Sequence, residues 1–81
     1  VTDLSKLRWK THMIWQHGTS YIFEIPGFDF AAIAQHENIS HYTWAILRNG
    51  KAFLNGSART MNGAKRDGRR ALIEMYEGEG L

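Results

Sequence analysis

Residues 42–60 read YTWAILRNGKAFLNGSART, and this stretch decides the fold. Asn49-Gly50 is the pair that a type I′ two-residue turn requires, because both central positions need positive φ. Strand-forming residues lie on either side, so the stretch reads as a hairpin. A two-residue turn also sets the register. Arg48 is expected opposite Lys51, Ile46 opposite Phe53 and Trp44 opposite Asn55, all on one face with Tyr42. The other face then carries Thr43, Ala45, Leu47, Ala52 and Leu54. One face is aromatic with two cations at its tip, and the other is small and aliphatic. The simplest expectation is a helix over the aliphatic face and an aromatic, basic face turned outward.

The helix follows directly. Thr60 is a good N-cap. From Met61 to Tyr76, the residues Met61, Ala64, Gly68, Ala71, Leu72 and Met75 form a stripe roughly 100° wide. Gly63 and Gly68 each cost about 1 kcal/mol relative to Ala inside a helix, so close packing at Gly68 is the simplest reason for it. Lys65, Arg66, Arg69 and Arg70 occupy the other side, with Ile73 and Tyr76 among them. Glu74, Glu77 and Glu79 lie toward the helix C-terminus, where the dipole disfavours them.

Upstream, Trp9, Met13 and Trp15 alternate with Lys10, His12 and Gln16, which is strand periodicity. His17-Gly-Thr-Ser20 reads as a turn, and Tyr21, Phe23 and Ile25 as a second strand stopped by Pro26-Gly27. Residues 8–26 are thus a first hairpin. Asp29 can cap a short helix over Phe30–Glu37, and an irregular loop is the alternative. The expected fold is α+β: an antiparallel sheet of three to four strands with a C-terminal helix packed on one face, in the order ββ(α)ββα. It forms one domain over 1–81, with 1–6 a loose leader and 78–81 a frayed tail. The expected core is Trp15, Phe23, Ile25, Ala45, Leu47, Leu54, Met61, Ala64, Gly68, Leu72 and Met75.

Composition narrows the function. At 81 residues with 43% hydrophobic content, the chain has the makeup of one small globule with no room for a deep cleft. It contains no cysteine, which excludes disulfides and thiolate metal sites. The longest uncharged run, Thr11–Phe23, is too polar to span a membrane, and the first ten residues lack a signal-peptide core. A cytoplasmic location is expected. Net charge is only +2, but it is segregated. Residues 11–47 hold three acids and no Lys or Arg, whereas residues 48–70 hold Arg48, Lys51, Arg59, Lys65, Arg66, Arg69 and Arg70 against Asp67 alone. Segregation of this kind produces a local field that the net charge conceals.

The four histidines match no metal-ligand spacing, and no serine lies in a nucleophile context. Gly50-Lys51 lacks the rest of a phosphate loop. The expectation is a non-enzymatic protein with no cofactor and no metal.

Trp44-Ala-Ile-Leu-Arg-Asn-Gly-Lys51, Asn55-Gly-Ser57, Thr60, Ala64-Lys65 and Ala71-Leu72 together resemble the strand–strand–helix unit of three-stranded-sheet DNA-binding domains. These are the APETALA2-type domains and the arm-site domains of tyrosine integrases. The outline is also similar to the C-terminal half of double-stranded-RNA-binding domains and to short phage and prophage proteins. The first resemblance implies a sheet laid in the major groove with the helix behind it, read by Trp44, Arg48, Lys51 and Arg59. Charge adds Lys65, Arg66, Arg69 and Arg70 as phosphate contacts. The expected function is a small nucleic-acid-binding accessory protein, of phage or prophage type, with DNA or RNA as partner. The alternative is a protein-interaction module, either an inhibitor of a host protein or a small homodimer anchored by its aromatic face.

Overall fold

The computed structural model describes residues 3–15, 18–38 and 41–79, with the side chains of residues 15, 38 and 79 outside the description. The elements are β1 (Lys10–Trp15), β2 (Gly18–Glu24), β3 (Ala31–Asn38), β4 (His41–Arg48), β5 (Lys51–Ala58) and α1 (Met61–Glu79). The strands form a five-stranded antiparallel meander in chain order. The architecture is α+β, with one C-terminal helix on one face of the sheet.

The fifth strand is β3, where the sequence suggested a short helix or loop. Its alanines explain the difference. Ala32 and Ala34 are fully buried, each placed between a bulky residue on either neighbouring strand. A central strand under a helix can use small residues that an isolated strand would not favour. Gly18–Ser20, read as turn, already belong to β2, and His17 lies outside the described residues.

The second hairpin has the turn expected of it. Asn49 and Gly50 take φ of 53° and 78°, and Arg48 pairs with Lys51. Beyond the tip the register departs by one residue. A bulge sets Leu47 opposite Ala52 but Ile46 opposite Leu54 and Trp44 opposite Gly56. Nothing in a two-residue turn forecasts a bulge two pairs away. Pro26-Gly27 is a turn too: Gly27 has φ of 81°, and the Phe28 N–H donates to the Ile25 carbonyl at 3.0 Å.

Register sorts the side chains into rows. Tyr21–Ala34–Trp44–Gly56 and Phe23–Ala32–Ile46–Leu54 lie on one face, and Ile22–Ile33–Ala45–Asn55 and Glu24–Ala31–Leu47–Ala52 on the other. Helix α1 covers the first face, over β3, β4 and β5. This reverses the expectation from the hairpin. The helix rests on the Trp44 side, and the aliphatic face is the one left open. Ala64, Gly68 and Leu72, one turn apart, are the buried line of α1. A methyl added to Gly68 would sit 3.2 Å from Trp44 Cβ and 3.7 Å from Ala32 Cβ, so the absence of a side chain brings the helix onto the sheet.

The core is Phe23, Ile25, Phe30, Ala32, Ile46 and Leu72, with Leu4, Leu7, Trp9, Phe28 and Tyr76 packed around it. Phe23, Ile25, Ala64, Gly68 and Leu72 are buried as expected. Ala45, Leu47, Met61 and Met75 are only partly buried, and Leu54 is exposed. Leu4–Lys6 form a 3₁₀ turn whose Asp3 carboxylate accepts from the Ser5 N–H at 3.0 Å. At the hairpin-tip end, Phe28 meets both Phe30 and Tyr76, and Phe30 meets Phe53. These ring contacts fasten the last turns of α1 to the loop before β3.

Candidate nucleic-acid interface

Helix α1 starts where the sequence says it should. The Thr60 hydroxyl accepts from the Gly63 N–H at 3.0 Å, and the Thr60 carbonyl accepts from the Ala64 N–H at 3.0 Å. The buried line Ala64, Gly68 and Leu72 sets the rotation of the helix, and with it the direction of each cation. The four basic residues of α1 then divide into two pairs.

Lys65 and Arg69 turn back toward the sheet. The Lys65 ammonium lies 3.6 Å from the centre of the Tyr21 ring, and the Arg69 guanidinium 5.7 Å from that of Phe23. Arg69 also reaches the Leu4 carbonyl at 3.5 Å. Both use their aliphatic stems to cover aromatic rings while their charges stay near them. Arg66 and Arg70 point outward and are exposed. Arg66 lies 3.4 Å from its neighbour Asp67, a pair with an exposed guanidinium and little expected strength. Among the described residues no ion pair engages Arg70.

The hairpin cations behave differently from expectation. Arg48 sits 3.8 Å from the Asp29 carboxylate and 5.5 Å from the centre of the Phe30 ring. It is therefore partly occupied, although both charged groups face solvent. Lys51 and Arg59 are exposed. Trp44 is half-buried, its stem beneath Gly68 and its indole against Gly56. It cannot serve as a bare reading residue on an open sheet face.

Two shallow grooves flank α1. One is lined by Asn62, Arg66, Arg69, Arg70, Ile73 and Glu74, and the other by Trp44, Gly56, Ser57, Asp67, Arg70 and Glu74. Arg70 borders both. The acids at the C-terminal half of the helix confine the positive field to its first turns. Sequence reasoning did not single out a third open groove, where Lys6, Arg8 and Lys10 gather beside Pro26 and Phe28 with Glu24 opposite. The surplus of cations in the first ten residues was the available signal. Arg8 there donates to the Ser5 and Leu7 carbonyls at 2.7 and 3.0 Å.

Guanidinium forks and ammonium groups can hold phosphates or carboxylates. Among the described residues no three His, Asp or Glu side chains converge as metal ligands. His36 stacks on Tyr42 with centroids 4.7 Å apart. No helix among the described residues is long and apolar enough to cross a membrane. Comparison with protein-family models, curated proteins and solved structures finds no match to this chain.

Proposed function

We propose that the chain is a small non-enzymatic nucleic-acid-binding accessory protein of the cytoplasm, holding phosphates along the first turns of α1. The observation that carries this reading is the outward pair Arg66 and Arg70, one turn apart, with exposed Arg59 just before the helix. Lys51 adds a cation at the hairpin tip. Arg48 and Trp44 contribute less than the sequence suggested, because one faces Asp29 and the other lies under the helix. Lys65 and Arg69 also serve packing, so replacing them would confound binding with stability.

The test is fluorescence anisotropy with labelled single- and double-stranded DNA and RNA across a salt series. Three phosphate contacts predict a log–log salt slope near −3 on duplex DNA, from about −0.9 per contact. Arg66→Glu with Arg70→Glu should remove about two contacts from the slope while leaving the circular dichroism spectrum unchanged. No binding at ~50 mM salt and micromolar protein rejects the reading.

A second reading is supported by a separate observation. The sheet face opposite α1 carries Ile22, Ile33, Ala45 and Leu47 with no described element over it. A protein-interaction module, docking a host protein or a second copy, would use such a face. Recovery of one protein and no nucleic acid in a pulldown would favour it.

A further inference from the structure

We infer that the open sheet face is a self-association surface, on which a second copy of this chain docks sheet to sheet. The inference does not depend on the nucleic-acid reading; it rests on the protein-interaction reading and narrows it to one occupant.

The face is built from three cross-strand rows. They are Lys10–Ile22–Ile33–Ala45–Asn55, Glu24–Ala31–Leu47–Ala52 and Gln35–Thr43–Ser57, the last continued on β1 and β2 by the Met13–Ser20 pair. Branched and small apolar residues alternate across its middle, and polar residues lie mostly toward the Gln35 end and the β5 margin. Ile22, Ile33, Ala45 and Leu47 are only partly buried although β2, β3 and β4 are interior strands. An antiparallel sheet with one solvated face would normally carry polar residues there. Here the centre of that face is aliphatic.

Charge and shape select the occupant. The rows contain one cation, Lys10, and one acid, Glu24, whose charges cancel, and the neighbouring cations Lys6 and Arg8 stand at the margin. A nucleic acid would find no cation at the aliphatic centre of the face. A second copy supplies a sheet of the same twist and width, the match that aligned sheet packing needs. Five strands about 4.8 Å apart, with residues about 3.4 Å apart along each, make a face of roughly 500–600 Å² per copy. Two copies would bury about 1,000–1,200 Å² in total, at the lower edge of specific interfaces. An interface of this size suits a reversible rather than an obligate dimer, and it leaves both α1 helices on the outside with Arg66 and Arg70 facing solvent.

Sedimentation equilibrium on nucleic-acid-free protein, from about 10 to 500 µM, tests this. The expected result is a monomer–dimer equilibrium ending at twice 9.3 kDa. Ala45→Lys and Ile33→Lys should each weaken association at least tenfold. Arg70→Glu, on the far side of the molecule, should leave it unchanged. Isotope-filtered NOEs on a mixed-label wild-type sample keep the question open to test if either variant fails to fold. Contacts between Ile33 and Leu47 methyls of different copies are expected. A wild-type protein monomeric at 500 µM overturns the inference. So does a dimer that survives both lysine variants, or one that Arg70→Glu disrupts.

Discussion

Replacing Gly56 with alanine should destabilise this protein, although the same change in an ordinary strand stabilises by about 0.5–1 kcal/mol. The reason is the indole of Trp44. A methyl at position 56 would lie 2.7 Å from Cε2 and Nε1 of Trp44 and 2.8 Å from Cζ2, well inside the ~3.5–4.0 Å of carbon–carbon contact. The indole cannot simply lift away. Its stem lies beneath Gly68, where a helix methyl would come within 3.2 Å of Trp44 Cβ. Asp67 and Ala71 of α1 border the same groove. Relief requires an off-rotamer tryptophan or a displaced helix, and overpacking of that kind costs about 1–3 kcal/mol. The net change should be a loss of about 1–2 kcal/mol, or roughly 4–16 °C in Tm for a domain of this size. A double-mutant cycle isolates the cause. In a Trp44→Leu background the methyl meets empty space, and Gly56→Ala should become neutral or mildly stabilising. The coupling is then about 1–3 kcal/mol. Urea unfolding of the four proteins at one protein concentration measures it, since self-association would otherwise shift apparent stability. A coupling within about 0.5 kcal/mol of zero, the scatter of independent sites, would refute the claim that the indole rests on Gly56.

Two further perturbations probe how the helix is held. Leu72→Ala opens a cavity at a fully buried position under α1 and should cost about 2–5 kcal/mol in urea unfolding, a large share of the stability of so small a domain. Thr60→Ala removes the hydroxyl that accepts from the Gly63 N–H and should cost about 1 kcal/mol. The loss should be visible as faster amide exchange in the first turn of α1 with the sheet amides unchanged.

The helix and its cap were legible because their information is local. Thr60, the stripe through Ala64, Gly68 and Leu72, and the small residue at 68 specify a helix that must lie close to something. The Asn49-Gly50 turn was legible for the same reason, since few residue pairs tolerate its backbone. β3 was misread because Ala31, Ala32 and Ala34 favour a helix by propensity, and Asp29 offered a plausible cap. Only the neighbours on β2 and β4 make them strand residues. The candidate site was half legible. The four cations of α1 could be counted in sequence, but their division into Lys65 and Arg69 over rings, and Arg66 and Arg70 in solvent, depends on where Tyr21 and Phe23 stand.

The amino-acid sequence by itself determined the hairpin turn, the helix with its cap, the antiparallel α+β class and the concentration of positive charge between residues 48 and 70. Tertiary structure decided which face of the sheet the helix would take. The hairpin read alone has an aliphatic side that looks made for a helix. Yet Ala32 and Ala34 of β3 line up with Ile46 and Trp44, and Gly56 and Ala58 of β5 with Trp44 and Tyr42, and these small residues make the opposite side the closer fit. That choice arises from register across four strands, distant in sequence, and no single hairpin contains it.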